Sequence, residues 1–167
     1  MANLQFTHIE YSITTKSLDV FNLGCDACPK CNGCFNSELW DWNLKGMSVE
    51  HTLSKLIDLN NKFDKLIDKI ILVGGDPVDA YFHYPNEYSN FVKEIAKLNK
   101  PIYLFTRYGI MEVPSELKKL VNYIKTGAYI PELTTNDNKR CGIKLATSNQ
   151  TIYKIGEYND SECPKEQ

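Results

Sequence analysis

Four cysteines, Cys25, Cys28, Cys31 and Cys34, stand three residues apart within the stretch Gly24–Trp42, GCDACPKCNGCFNSELWDW. Thiols this dense are seldom structural filler. The chain opens MANLQ, with neither the basic start nor the apolar core of an export signal, and this places it in a reducing, cytoplasmic setting where a disulfide framework is not expected. The run therefore reads as a loop around a metal or an iron–sulfur cluster. With 167 residues, the chain buries roughly 70% of its unfolded surface and needs no staple to fold. A net charge of -2 gives no basic footprint for nucleic acid, and no apolar run reaches the ~18 residues of a membrane span. Cys141 and Cys163 are single thiols, read as a small buried residue and a tail thiol.

Period-two apolar residues Ile9, Tyr11 and Ile13 predict a strand over Phe6–Thr14, and Ser17–Leu23 alternates again, with Thr14-Thr15-Lys16 as the turn between. The cysteine loop follows the second strand, at the carboxyl end where α/β folds gather their chemistry. Ser48 is an N-cap for a helix carrying Val49, Leu53, Leu56 and Ile57, with a break expected at Asn60-Asn61. Lys69–Val73, KIILV, suits a parallel strand covered on both faces and ends in Gly74-Gly75-Asp76-Pro77. Val78–Pro85 reads as an aromatic loop, Asn86–Leu98 as a helix, Pro101–Thr106 as a strand, and Glu116–Val121 as a helix capped by Ser115. Tyr123–Thr126 and Thr151–Ile155 complete the strands, with a loop over Ile130–Arg140 and Ile143–Asn149 left unassigned. This order predicts one α/β domain over 1–156 with a mostly parallel sheet, and a flexible tail over 157–167. The strands are too few for a complete eight-fold barrel, so a partial, open β/α barrel or curved sheet is expected.

Three chemistries fit the cysteine loop. A structural zinc site accepts four thiolates, but it usually draws them as two pairs from separate segments. A ferredoxin-like carrier uses C-x2-C-x2-C-x3-C-P, whereas here the spacing is C-x2-C-x2-C-x2-C followed by Phe35. A 4Fe–4S cluster on three thiolates leaves one iron open for a chelating substrate. The Gly74-Gly75-Asp76-Pro77 turn favours the third, because two glycines let a backbone approach a ligand closely and expose carbonyls to an ammonium group. Alone, such a turn is more often a plain strand exit.

The order GC…C-x2-C-F-N…W, then GGDP after an apolar strand, then LFTRY, resembles the radical S-adenosylmethionine activating enzymes, and among them the activase of the anaerobic (class III) ribonucleoside-triphosphate reductase. The resemblance runs from about Val20 to about Gln150, with Gly127-Ala128-Tyr129 and Ser148-Asn149-Gln150 as weaker late echoes. It implies a barrel of the radical S-adenosylmethionine type and an oxidoreductase that installs a glycyl radical in a partner reductase. It further implies a flavodoxin- or ferredoxin-type electron donor, and neither nucleic acid nor membrane as partner. It assigns Cys25, Cys31 and Cys34 as cluster ligands, and Gly33, Cys34 and Phe35 as contacts to S-adenosylmethionine, with Phe35 near the adenine. Gly74, Gly75 and Asp76 would meet the methionyl amine, and Thr106 would face the cosubstrate. The family spacing is C-x3-C-x2-C. Counting from Cys25 gives C-x5-C-x2-C and from Cys28 gives C-x2-C-x2-C. Gly24-Cys25 after Asp19-Val20-Phe21 matches the family's strand-Gly-Cys, so Cys25 is taken as the first ligand and Cys28 as a spare or structural thiol. Arg107 stands where the family has Gly in W-T-G-Y, and Thr126 where it has Asp before a Gly.

Two other functions stay open: a radical enzyme acting on another peptide or small substrate, and a non-catalytic iron–sulfur electron carrier. The remaining candidates carry bland readings. Trp40 and Trp42 shield a cluster or pack ordinary core, and His8, His51 and His83 have no ligand-spaced partner. Glu38 and Asp41 reach the cosubstrate ribose or, as the blander reading has it, are solvated, and the lysine face of Lys93, Lys97 and Lys100 is a normal helix exterior. Tyr81-Phe82-His83-Tyr84 lines a partner surface or lids the sheet.

Overall fold

The computed structural model describes residues 3–166, so Met1, Ala2 and Gln167, which fall within the expected opening segment and tail, lie outside the described residues. The chain begins with a tight antiparallel hairpin, β1 (Phe6–Ser12) and β2 (Ser17–Asn22), turned at Lys16 with a φ of 49°. Helix α1 (Val49–Phe63) starts where Ser48 accepts the His51 N–H and runs through Asn60-Asn61 without the expected break. Then come β3 (Lys69–Gly74), α2 (Pro77–His83), α3 (Pro85–Ala96), β4 (Ile102–Phe105), the one-turn α4 (Ser115–Lys118) and β5 (Tyr123–Thr126). A small hairpin, β6 (Lys139–Arg140) with β7 (Ile143–Lys144), precedes β8 (Thr151–Lys154) and β9 (Ser161–Glu162).

Two helices differ from the sequence reading. Val78–Pro85 is not a loop: α2 occupies it, because Asp76 accepts the Val78 N–H as an N-cap and Pro77 fills the first helical position, where a missing N–H costs nothing. Conversely, α4 is shorter than expected and begins after Pro114, with no side-chain cap from Ser115.

The sheet also corrects the expected architecture. Its order is β1-β2-β3-β4-β5-β8-β9, and it is mixed, not a mostly parallel partial barrel. Only β2-β3-β4-β5 pair in parallel, and both margins are antiparallel. Parallel pairing needs a crossover of a dozen or more residues, usually a helix. The chain supplies such crossovers from β2 to β3 and from β3 to β4, and a short one through α4 to β5. After β5 the connection carries the β6–β7 hairpin instead, and β8 returns antiparallel. Among the described residues, four α-helices and two antiparallel margins form no helical ring to close a barrel, and the sheet stays open.

Strand alternation divides the core in two. Leu18, Val20, Ile70, Leu72, Ile102, Leu104 and Ile124 face the helices and pack with Leu56, Tyr88, Phe91 and Leu117. Ile71, Tyr103 and Ile152 face the other way, with Val73, Phe105 and Tyr123, and are covered by Ile143, Leu145 and Cys163. No crossover helix packs in that second cluster. Its cover is the stretch around β6–β7 and the β9 segment, and the cover leaves an opening at the carboxyl ends of β3, β4 and β5. Residues 157–166 include β9, which pairs with β8, and the buried Cys163, which Cys141 contacts. Among the described residues no helix is long and apolar enough to cross a membrane.

Candidate metal centre

The opening above β3–β5 is a cavity of about 270 Å³, lined by Cys25, Cys31, Cys34 and Phe35 from the cysteine loop, Gly74, Gly75 and Asp76 from the turn after β3, and Thr106 after β4. Eight of the nine sequence-assigned positions line this one cavity; the ninth, Gly33, lies outside the lining and faces Tyr129, a wall residue. Cys25 is buried, Cys31 and Cys34 are half-buried, and Cys28 is exposed and outside the lining.

Backbone bonds fix the loop's start against the turn. The Asp76 N–H donates to the Gly24 carbonyl at 2.8 Å, and the Gly75 N–H to Asn22 at 2.8 Å. Gly24 and Gly75 are so close that a Cβ on Gly75 would run into the Gly24 carbonyl, and one on Gly24 would run into the Trp42 ring. Glycine at these two positions is the condition for the loop and the turn to touch. Leu39 and Trp40 carbonyls accept the Gly24 and Cys25 N–H groups, and the Lys30 ammonium reaches the Cys25 carbonyl. Trp40 lines the cavity, whereas Trp42 stacks on His83 with centroids 4.2 Å apart. His83 is paired after all: its Nε2 lies 2.7 Å from the Asp26 carboxylate, which also accepts the Trp42 indole N–H at 2.7 Å.

The side chains of Asp76 and Thr106 are occupied with each other. The Asp76 carboxylate accepts the Thr106 hydroxyl at 2.8 and 3.0 Å and the N–H groups of Val78 and Arg107 at 2.9 and 3.0 Å. Burial pushes this carboxyl up to about 6, against the pull of those donors, and neighbouring Asp79 adds to the rise. What the turn presents to the cavity is therefore backbone more than carboxylate.

Sequence reasoning missed Lys125. It projects from β5 on the Tyr123 side of the sheet into the cavity wall, and its ammonium donates to the Gly127 carbonyl at 2.9 Å. Burial depresses it to about 8, while Asp76, Cys31 and Cys34 draw it back up.

Among the described residues, no three His, Cys, Asp or Glu side chains converge as the ligands of a single ion do. A zinc ion holds its thiolates about 2.3 Å from one centre. A four-iron cluster gives each thiolate its own iron, so its ligands stand further apart around a shared cavity. Three thiols on one cavity wall fit the cluster better than the ion. The sequence of residues 16–153 matches the model of a family described as a 4Fe-4S single cluster domain. No curated protein matches the chain.

Proposed function

The chain belongs to the 4Fe-4S single cluster domain family, and from that premise we propose that it is a radical S-adenosylmethionine enzyme that generates a glycyl radical on an anaerobic ribonucleoside-triphosphate reductase. In this reading Cys25, Cys31 and Cys34 hold the cluster, and Cys28 stays free. The observation that carries it is the partition of the four thiols. Three line the cavity beside the glycine turn and one is exposed outside it, which leaves one iron corner to a cosubstrate.

When bound and reduced, the cluster would supply the single electron needed for reductive cleavage of S-adenosylmethionine, and a partner glycine would be the source of the hydrogen atom abstracted in turn. The chain's own residues bind and orient. The Gly74–Asp76 backbone offers carbonyls to the methionyl ammonium, and Lys125 offers a cation to the methionyl carboxylate. Phe35, packed edge-on to Tyr129 at 5.3 Å, offers an aromatic face to the adenine. Gly33, at a φ of 69°, takes the left-handed backbone that the loop needs, and Thr106 steadies the turn through Asp76. A cavity of about 270 Å³ is smaller than the ~300–1,000 Å³ of enclosed ligand pockets, so the partner's glycine segment would complete the wall. A flavodoxin- or ferredoxin-type protein would serve as electron donor.

The alternatives are a radical enzyme with another peptide or small substrate, and an electron carrier. The test is anaerobic reconstitution, reduction and incubation with S-adenosylmethionine. We expect 5′-deoxyadenosine, and a glycyl radical when the reductase is added. An iron-loaded, reduced chain that forms no 5′-deoxyadenosine leaves the electron carrier as the function.

A further inference from the structure

Beside the cavity, one carboxylate ties together three segments of chain. Asp79, on the first turn of α2, is 1% exposed. It accepts the Asp26 backbone N–H at 2.8 Å, the Tyr108 hydroxyl at 2.6 Å and Arg107 Nη2 at 3.1 Å to each oxygen. Arg107 Nη2 also donates to the Tyr108 hydroxyl at 2.8 Å, and the Arg107 backbone N–H is committed to Asp76. The cysteine loop one residue past Cys25, the helix after the glycine turn and the chain after β4 thus meet at a single buried charge. A single guanidinium nitrogen spans both carboxylate oxygens, a charge-assisted contact that holds Arg107 and Asp79 together. Cys28, two residues beyond Asp26, has no such anchor on its own backbone and is exposed.

We propose that Asp79, Arg107 and Tyr108 are positioning residues that fix the Cys25 turn, so that Cys25 and not Cys28 is the first thiolate the loop presents to the cluster. This rests on the reading of the loop as a cluster site. It gives a role to Arg107, which departs from the glycine of the resembling family. It acts through the Asp26 backbone, and none of the three side chains is assigned to the reacting atoms.

The experiment uses the full chain, reconstituted anaerobically, with iron and sulfide determined and each thiol's alkylation followed by mass spectrometry. The wild type should protect Cys25, Cys31 and Cys34 and leave Cys28 open to alkylation. Groups that orient a metal ligand typically shift affinity about 10–100-fold, so Asp79→Asn should lower the Cys25-to-Cys28 protection ratio by about ten-fold, with iron retained as Cys28 takes the vacated corner. Tyr108→Phe should move the ratio the same way by less, and Arg107→Lys should keep more of the wild-type ratio than Asp79→Asn. A merely structural role would lower iron content and melting temperature and leave the ratio unchanged, and that result overturns the proposal. Protection of Cys28 in place of Cys25 in the wild type overturns it as well. If Asp79→Asn does not fold, Tyr108→Phe and Arg107→Lys decide by the same ratio. Wild-type chain that takes up no iron refutes the cluster reading instead, and is read without any variant.

Discussion

Asp76 and Thr106 stand at the cavity with their side-chain polar atoms already engaged. Both line the cavity, but their polar atoms bond to each other and to backbone, so they shape the turn. Thr106→Val removes the hydroxyl donor and leaves a buried carboxylate short of a partner, and the apo protein should lose about 1–3 kcal/mol in denaturant unfolding. Unchanged stability would contradict this account of the pair. Lys125 allows a pH test on the apo protein. Its folded value, about 8, lies below the ordinary 10.5, so between these values the unfolded chain binds more protons and stability rises with pH. Charged Lys125 is a cost below about pH 8 that is relieved toward 10.5. Lys125→Met should therefore raise the melting temperature most at neutral pH, and the gap to wild type should narrow through that window. The cysteines and the glycine turn were legible because their spacing is itself the chemistry. Lys125 and Asp79 were not, because only the assembled sheet and α2 show what each one faces.

At the scale of elements, the strands β1 to β5 and the turn between the first two follow from apolar alternation and short β-branched runs, and they stand close to where the sequence puts them. Helix α2 has no apolar periodicity in its aromatic run, and its one local signal is Asp76-Pro77, an N-cap followed by a proline suited to the first turn. Helix α2 also carries Asp79. Helix α3 is tied to the sheet by Phe91, fully buried with its ring 4.3 Å from Phe6. Phe91→Ala should cost about 3–5 kcal/mol by equilibrium unfolding, the range for emptying a buried aromatic site. A loss below 1 kcal/mol would mean that α3 does not depend on this contact.

For the molecule as a whole, the sequence predicts a mostly parallel, partial barrel, and the sheet is instead mixed. Counting strands and helices leaves strand direction free after β5, and direction is decided by how Thr151–Lys154 returns to β5, a long-range pairing without a local signal. The outcome is an open mixed sheet whose second face is covered by a hairpin and the chain's last segment. Arg140 pairs with Glu162 at 2.7 Å, and Cys163 donates its N–H to Ile152 at 2.7 Å, so residues 157–166 belong to that cover. A chain ending at Gly156 should melt lower than the full chain and expose the Tyr103 side of the sheet to hydrogen exchange. Equal melting temperatures would show the segment to be dispensable.

The proposed function requires an iron that no cysteine caps. Electron paramagnetic resonance of the reduced, reconstituted protein, with and without S-adenosylmethionine, reports on that corner directly. The account predicts a cluster signal whose g values change when the cosubstrate is added; a 4Fe–4S signal that stays the same with S-adenosylmethionine in excess would contradict it.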